Sequence, residues 1–346
     1  MGNRNNQVNV LVASYLTPDE VERIRASVPP GIRIVYEPEL LPVPQYTSDH
    51  YGVQRSLTQQ QMAQWRSLLE AAEVLFDFDW WRPSELRANA PRLRWVQATS
   101  SGIGQVLIDT GLDKTDITFT TAAGVHAIPL AEHVVLGLLW LAKDVPELLK
   151  RQREHYWQRF TTNLLHGRRI LLVGLGSVGR QIATVCEGLG VEVWACRRTA
   201  GGDVAGVSRI VAVDDIHRVL PEVDALVLAC PHTTETEGLI GQRELAAMKP
   251  GAGIVNVARG PVIDEVAMVR ALRSGALGGA VLDVFAIEPL PADSPLWEFE
   301  NVLISPHSAS TVAEENDRIV DIFIENLRRY ATDEPLVNVF AREQGY

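Results

Sequence analysis

The stretch Ile170-Leu171-Leu172-Val173-Gly174-Leu175-Gly176-Ser177-Val178-Gly179-Arg180 decides how this chain folds. Four apolar, partly β-branched residues read as a buried strand, and they run straight into Gly-x-Gly-x-x-Gly. A helical pattern continues from Arg180 to about Leu189. Strand, glycine-rich turn and helix in this order make a phosphate cradle. Gly174 permits the tight turn, Gly176 lets a pyrophosphate approach the backbone, and Gly179 lets the helix pack closely on the strand. The helix start at Ser177 and Val178 offers unpaired N–H groups and a partial positive charge to phosphate oxygens.

The alternation of short apolar runs with helical patterns extends in both directions. Downstream, Val191–Ala195, Ile210–Val213, Ala225–Ala229, Gly253–Val257, Ala280–Val284 and Val302–Ile304 read as further strands. Upstream, Val8–Ala13, Ile32–Tyr36, Val74–Phe78, Leu93–Ala98 and Ile117–Thr121 form an earlier series, with helices at Asp19–Ser27 and Gln59–Glu70. Strands separated by helices of this length imply parallel sheets with right-handed crossovers, an α/β fold. One long helix is expected from Pro129 through Trp157, bent at Pro146, and a second from Thr311 to Tyr330. The chain should therefore be split. Residues 1–124 and 308–346 form one domain, with residues 125–307 inserted into it.

At 346 residues the chain is long enough for two ordinary domains, and 46% apolar with 22% charged residues is a globular balance. A formal net charge of −11 points away from a nucleic-acid surface. Cys186, Cys196 and Cys230 match neither a zinc set nor a disulfide framework, so free thiols in a reducing compartment are expected. The polar start MGNRNNQ lacks the apolar region of a secretion signal, and Val134–Ala142 is too short to span a bilayer. Neither a membrane nor a nucleic acid is an expected partner, and the expected location is the cytoplasm.

A second signal concerns the phosphate cradle. The strand after it usually ends in an acid that holds the adenosine ribose. Here Arg197-Arg198-Thr199 stands in that place. Two guanidiniums and a hydroxyl would bind a 2′-phosphate that a carboxylate repels, so NADP is preferred over NAD.

Three further polar groups follow strands in the second series: Arg259 after Gly253–Val257 and Ala258, Glu288 after Ala280–Val284, and His307 after Val302–Ile304. Ligands of open α/β sheets bind outside the carboxyl ends of strands, so the three would converge there. At this point the chain resembles the D-2-hydroxyacid dehydrogenase family. The segments that carry the likeness are GLGSVGR at 174–180, ACPHTTETEGLIG at 229–241, MKPGAGIVNVARGPVIDE at 248–265, AVLDVFAIEPLP at 280–291 and NVLISPHSA at 301–309. SSGIGQVL at 100–107 and AAGVHAIPLAEHV at 122–134 also match. The arginine pair makes it most similar to NADPH-dependent glyoxylate/hydroxypyruvate reductases.

The resemblance implies two Rossmann-like domains, the cofactor domain inserted into a flavodoxin-like substrate domain. It implies a small 2-keto or 2-hydroxy acid as substrate and a homodimer built on the long helix after Pro129 and the Tyr156-Trp157 region. Arg259 would grip the substrate carboxylate and polarise the carbonyl, and His307 would serve as general acid and base. Glu288 would hold the other ring nitrogen and keep the imidazole charged. Ser101 and Gly102 would bind the substrate through backbone N–H groups. Asp283 would hold the nicotinamide carboxamide, and Cys230, Pro231, Thr236 and Ala258 would line the cofactor. No metal is needed, because arginine and histidine supply the electrophilic assistance. His126 and His133 flank the start of the first long helix and read as packing residues, Trp80, Trp81 and Trp140 as core or interface, and Asp77 and Asp79, flanked by aromatics, as a strand end. Two alternatives stand beside this reading: a phosphoglycerate dehydrogenase-like oxidoreductase, and a cofactor-sensing protein like the corepressors of the same fold.

Overall fold

The structure, a computed structural model, describes residues 7–342. The chain divides into two compact units, residues 1–126 with 311–346, and residues 127–310.

In the first unit, β1 (Val8–Val12), β2 (Ile32–Val35), β3 (Val74–Phe76), β4 (Trp95–Gln97) and β5 (Thr118–Thr120) form one parallel sheet in the order β2-β1-β3-β4-β5. This is the flavodoxin-like order. One apolar layer packs Leu11, Leu75, Val96 and Phe119 with Trp65 and Leu69 of the helix Gln59–Ala71. The opposite layer packs Val10, Phe76 and Trp95 with Ile319, Phe323 and Leu327 of the helix Glu315–Ala331. Both helices that follow β1 and β2 open on capping boxes, at Thr17 with Glu20 and at Thr58 with Gln61.

In the second unit, β6 (Arg169–Val173), β7 (Glu192–Arg197), β8 (Arg209–Ala212), β9 (Ala225–Leu228), β10 (Ala252–Asn256), β11 (Leu277–Leu282) and β12 (Val302–Ile304) form a second parallel sheet. Its order is β12-β11-β10-β9-β6-β7-β8. The chain runs outward one way from β6 and the other way from β9. The β6/β9 junction is thus the switch point of a Rossmann-type sheet, where dinucleotides bind. Apolar layers cover both faces, one around Leu226, Ile254 and Leu282 and the other around Leu172, Val227 and Val255.

The expected single helix from Pro129 is in fact two, Ala127–Ala142 and Val145–Arg153. Asp144 takes left-handed φ of 50° between them, and Pro146 lies in the first turn of the second helix. Proline cannot donate to the carbonyl four residues back, so the chain restarts rather than bends. The segment after Arg153, including Tyr156 and Trp157, is not helical. The second expected helix starts at Glu315 rather than Thr311. Among the described residues no helix is long and apolar enough to cross a membrane.

Candidate active site

The cradle after β6 is built as tightly as its glycines require. Gly174 has φ of 106°, and a Cβ there would lie 2.7 Å from the Ala229 carbonyl oxygen. A Cβ on Gly179 would lie 2.1 Å from the Gly174 oxygen, so the helix Ser177–Gly188 rests directly on the turn. Gly176 differs, because a Cβ there would meet no atom of the protein within 4 Å. Glycine at 176 is therefore not needed by the fold. It keeps a surface clear over a helix N-terminus that no side chain caps, which fits a bound pyrophosphate.

Beside this turn, the Gly174 N–H donates to the Cys196 carbonyl at 3.0 Å, so Arg197, the last residue of β7, flanks the cradle. Arg197 donates through Nε to the Thr199 carbonyl at 3.0 Å and through a terminal nitrogen to the Gly201 carbonyl. Its guanidinium is thereby folded onto its own loop, a tie that sequence spacing did not reveal. Arg198 is exposed. Its charge reaches Glu235, whose carboxyl is lowered by the Thr233 hydrogen bond first, then its own backbone and Arg198. Cys230 is buried, and burial pushes its thiol up to about 11, which argues against a nucleophile. The Thr236 hydroxyl donates to the Pro231 carbonyl at 2.7 Å and accepts from the Thr233 N–H at 2.8 Å, so it shapes its loop.

Arg259, Glu288 and His307 follow the adjacent strands β10, β11 and β12. Asn256 accepts from the Ala258 N–H at 3.0 Å and donates to the Arg259 carbonyl at 3.3 Å, which fixes the corner. One terminal nitrogen of Arg259 donates to the Ala258 carbonyl at 2.7 Å. Gly260 follows, where a Cβ would fall 1.9 Å from the Phe285 carbonyl. Only glycine lets this corner lie against the loop that leads to Glu288.

Glu288 Oε1 accepts from the Phe285 N–H at 3.0 Å, and Oε2 meets His307 Nδ1 at 2.7 Å. Burial raises the Glu288 carboxyl, but His307, the Phe285 N–H and the Arg259 charge outweigh it, and the net shift is downward. The carboxylate is thus held ionised against His307 Nδ1, which leaves Nε2 as the ring nitrogen that Glu288 does not engage. His307 has left-handed φ of 53°, a conformation that a non-glycine residue keeps only when neighbours impose it. Asp283 imposes it. Its carbonyl accepts from the His307 N–H at 2.9 Å, and its Oδ1 accepts from Ser305 Oγ at 2.6 Å and from the Ser308 and Ala309 N–H groups at 2.9 Å each. The 3% exposed Asp283 is therefore a brace for the histidine loop, a role the sequence reading missed.

In the first unit, Ser100, Ser101 and Gly102 follow β4 at the carboxyl edge of that sheet. Gly102 is exposed, and its N–H donates weakly to Ser100 Oγ at 3.3 Å. Ser14 follows β1, and its Oγ meets His50 Nδ1 at 3.0 Å. Burial pushes the His50 imidazole down to about 4, against the opposing charge of Glu315. A base with a lowered folded pKa stabilises the fold fully above its unfolded value near 6.5 and loses that contribution as pH falls toward 4. The free-energy advantage of the native protein over His50→Asn is expected to shrink by ~2–3 kcal/mol between pH 7.5 and 4.5. Urea unfolding of both proteins at the two pH values measures it, and a constant difference would mean that His50 is not buried as the neutral base.

Asp77, Asp79, Trp80 and Trp81 form a packed group. Asp77 accepts from Trp80 Nε1 at 2.9 Å, and Asp79 from Trp65 Nε1 at 3.1 Å. Trp140 is 7% exposed, and Cys186 is fully buried with its thiol pushed up to about 12. His133 is half-buried, and burial lowers it against the charge of Asp283. Among the described residues no group of three or more His, Cys, Asp or Glu side chains is placed to hold a metal ion.

Comparison with known proteins agrees with this fold. The profile described as D-isomer specific 2-hydroxyacid dehydrogenase, NAD binding domain, matches residues 135–309. The (S)-sulfolactate dehydrogenase of Chromohalobacter salexigens is 34% identical over 71% of this chain and 80% of its own length. The glyoxylate reductase of Korarchaeum cryptofilum is 31% identical over 75% of this chain and 80% of its own length. The D-3-phosphoglycerate dehydrogenase of Mycobacterium leprae is 35% identical, but the match spans only 46% of that longer protein. Among solved structures, a D-isomer specific 2-hydroxyacid dehydrogenase from Xanthobacter autotrophicus Py2 in complex with NADPH and MES covers 99% of this chain and 100% of its own. Its TM-score is 0.78 at 27% identity.

Proposed function

Because the chain belongs to the D-isomer specific 2-hydroxyacid dehydrogenase family, and is as such an NAD(P)-dependent oxidoreductase acting on a CH–OH group, we propose that it reduces a small 2-keto acid of the glyoxylate or hydroxypyruvate type. The observation that carries the reading is the His307–Glu288 pair at 2.7 Å within the field of the Arg259 guanidinium. A nicotinamide dinucleotide held by the Gly174–Gly179 turn would, when bound, provide the hydride donor or acceptor. Arg259 pairs with the substrate carboxylate and draws charge toward the carbonyl oxygen. His307 donates the Nε2 proton to that oxygen during reduction and takes it back in the reverse direction. Glu288 stabilises the imidazolium and fixes its ring, while Asp283 braces the histidine loop and is assigned the nicotinamide carboxamide as well. Ser101 and Gly102 are assigned to the substrate carboxylate, which makes residues 1–124 with 308–346 the substrate domain and residues 125–307 the dinucleotide domain. A spectrophotometric screen of NADPH oxidation with glyoxylate, hydroxypyruvate, pyruvate and phenylpyruvate tests the proposal. Turnover of none of them would refute it.

The cofactor is proposed to be NADP in preference to NAD. Arg197, Arg198 and Thr199 stand where a ribose-binding acid would otherwise stand, at the end of the strand beside the cradle. Charge-assisted hydrogen bonds of this kind contribute ~1.5–3 kcal/mol each. Arg198→Ala should weaken NADPH binding by about 10–100-fold and change NADH binding by a few-fold at most. Fluorescence titration with both dinucleotides measures it, and equal losses for the two would contradict the assignment.

A homodimer is proposed on the second unit. The helix Ala127–Ala142 leaves Ile128, Leu136 and Leu139 exposed, the next helix leaves Leu148 and Leu149, and Trp157 is 99% exposed. An apolar surface of this extent calls for a partner, and an identical copy is the closed solution. Sedimentation equilibrium should return about twice the chain mass, and a monomer at micromolar concentration would contradict it.

A further inference from the structure

His126 has no assigned part in the chemistry, yet it is the centre of a hydrogen-bonded clamp in the first unit. Its Nδ1 meets Ser101 Oγ at 3.0 Å, and its Nε2 meets Glu315 Oε1 at 3.0 Å. The His126 and Glu315 side chains are only 13% and 9% exposed. Ser101 Oγ also donates to the Ala122 carbonyl at 3.1 Å. A hydroxyl has one hydrogen, so with that hydrogen given to Ala122 the Ser101 contact requires a hydrogen on His126 Nδ1. Nε2 then faces Glu315 Oε1 on the other side of the ring. Glu315 Oε2 is buried and finds no other donor among the described residues, so the carboxyl depends on His126.

The clamp joins three distant pieces of sequence. The Ser100 carbonyl accepts from the Ala122 N–H at 3.1 Å, which pairs the loop after β4 with the segment after β5. That segment is held from the C-terminal side: Arg318 donates to the Val125 carbonyl at 3.4 Å and Asn338 to the Ala123 carbonyl at 2.9 Å. The loop with Ser101 and Gly102 is thus tied through one imidazole to the start of the helix Glu315–Ala331.

We propose that His126, clamped by Glu315, is a positioning residue that sets the Ser100–Gly102 backbone for the substrate carboxylate. The inference rests on the substrate assignment of that loop. Its chemistry is specific to a donor at Nδ1. Asparagine places an amide nitrogen near that position and leucine places none.

The test uses the full-length enzyme with NADPH and the best 2-keto acid from the screen. His126→Leu should raise KM for the keto acid by about 10–100-fold, the range for losing one buried hydrogen bond and leaving its partner unsatisfied. It should leave kcat and the NADPH dissociation constant within a few-fold. His126→Asn should recover most of the loss. Ser101→Ala, which cuts the same link from the other end, should give the same KM signature, so an unfolded His126→Leu does not end the test. Hydrogen exchange of the 100–103 amides should quicken in His126→Leu and Ser101→Ala and stay native-like in His126→Asn. A native KM in His126→Leu or Ser101→Ala would overturn the inference, and so would parallel losses of kcat and NADPH binding. An unmodified enzyme that reduces no 2-keto acid would instead overturn the functional reading, a result distinguishable from either.

Discussion

Replacing His307 with alanine is expected to lower kcat for 2-keto acid reduction by about 10²–10⁴-fold, the range for loss of a general acid, while NADPH binding stays within a few-fold. The expectation follows from where the imidazole is held. Nδ1 is committed to Glu288 at 2.7 Å, so only Nε2 is available to exchange a proton with substrate. The Asp283 brace holds the backbone of residues 307–309, not the ring, and survives the substitution. The cradle from Gly174 to Gly179 lies on a different strand and is untouched. A loss confined to turnover is thus the signature of an acid. Steady-state kinetics with NADPH titration measures both quantities. Native turnover would remove His307 from the chemistry, and equal losses in turnover and cofactor affinity would make it a packing residue.

Arg259→Gln is expected to lower kcat/KM for the keto acid by about 30-fold to several thousand-fold, the range for truncating one partner of a desolvated charge pair. Part of the loss should fall on KM and part on kcat, because the guanidinium is proposed both to bind the carboxylate and to polarise the carbonyl. Arg259→Lys should recover little. One terminal nitrogen is already spent on the Ala258 carbonyl at 2.7 Å, so the remaining edge of the planar group is aimed by that bond. A lysine ammonium has neither the fork nor the anchor. A variant whose whole loss lies in KM would mean that Arg259 binds but does not assist, and a lysine variant of native activity would mean that charge alone suffices.

Local pattern made most of the fold readable. Most strands among the described residues are short runs rich in β-branched or aliphatic residues, and burial on both faces of a parallel sheet leaves such a run continuous. The parallel Rossmann-type order follows from the Gly174–Gly179 turn and the alternation around it. Local pattern misled where one residue overrode it. The apolar periodicity through Leu141 carries on across Pro146, but a left-handed Asp144 ends the first helix. In the candidate site, strand-end placement was enough to single out Arg259, Glu288 and His307. It could not show that Asp283 spends Oδ1 on the histidine loop, because Ser308 and Ala309 lie 25 and 26 positions away. Nor could it show His126, which reads as a packing histidine until Glu315, 189 positions away, is folded against it. Arg197 is an intermediate case: its strand-end place is legible, but its hold on Thr199 and Gly201 is not.

Arg259 and the Glu288-supported His307 are expected to meet the reacting carbonyl together. A crystal structure of the full-length enzyme with NADPH and oxalate, a non-reducible mimic of a 2-keto acid, tests it most directly. The Arg259 guanidinium should make both contacts to the oxalate carboxylate, with His307 Nε2 about 2.6–3.2 Å from the oxygen that stands in for the carbonyl. Oxalate bound with neither side chain in contact, or His307 turned from it while Glu288 is released, would rule that arrangement out.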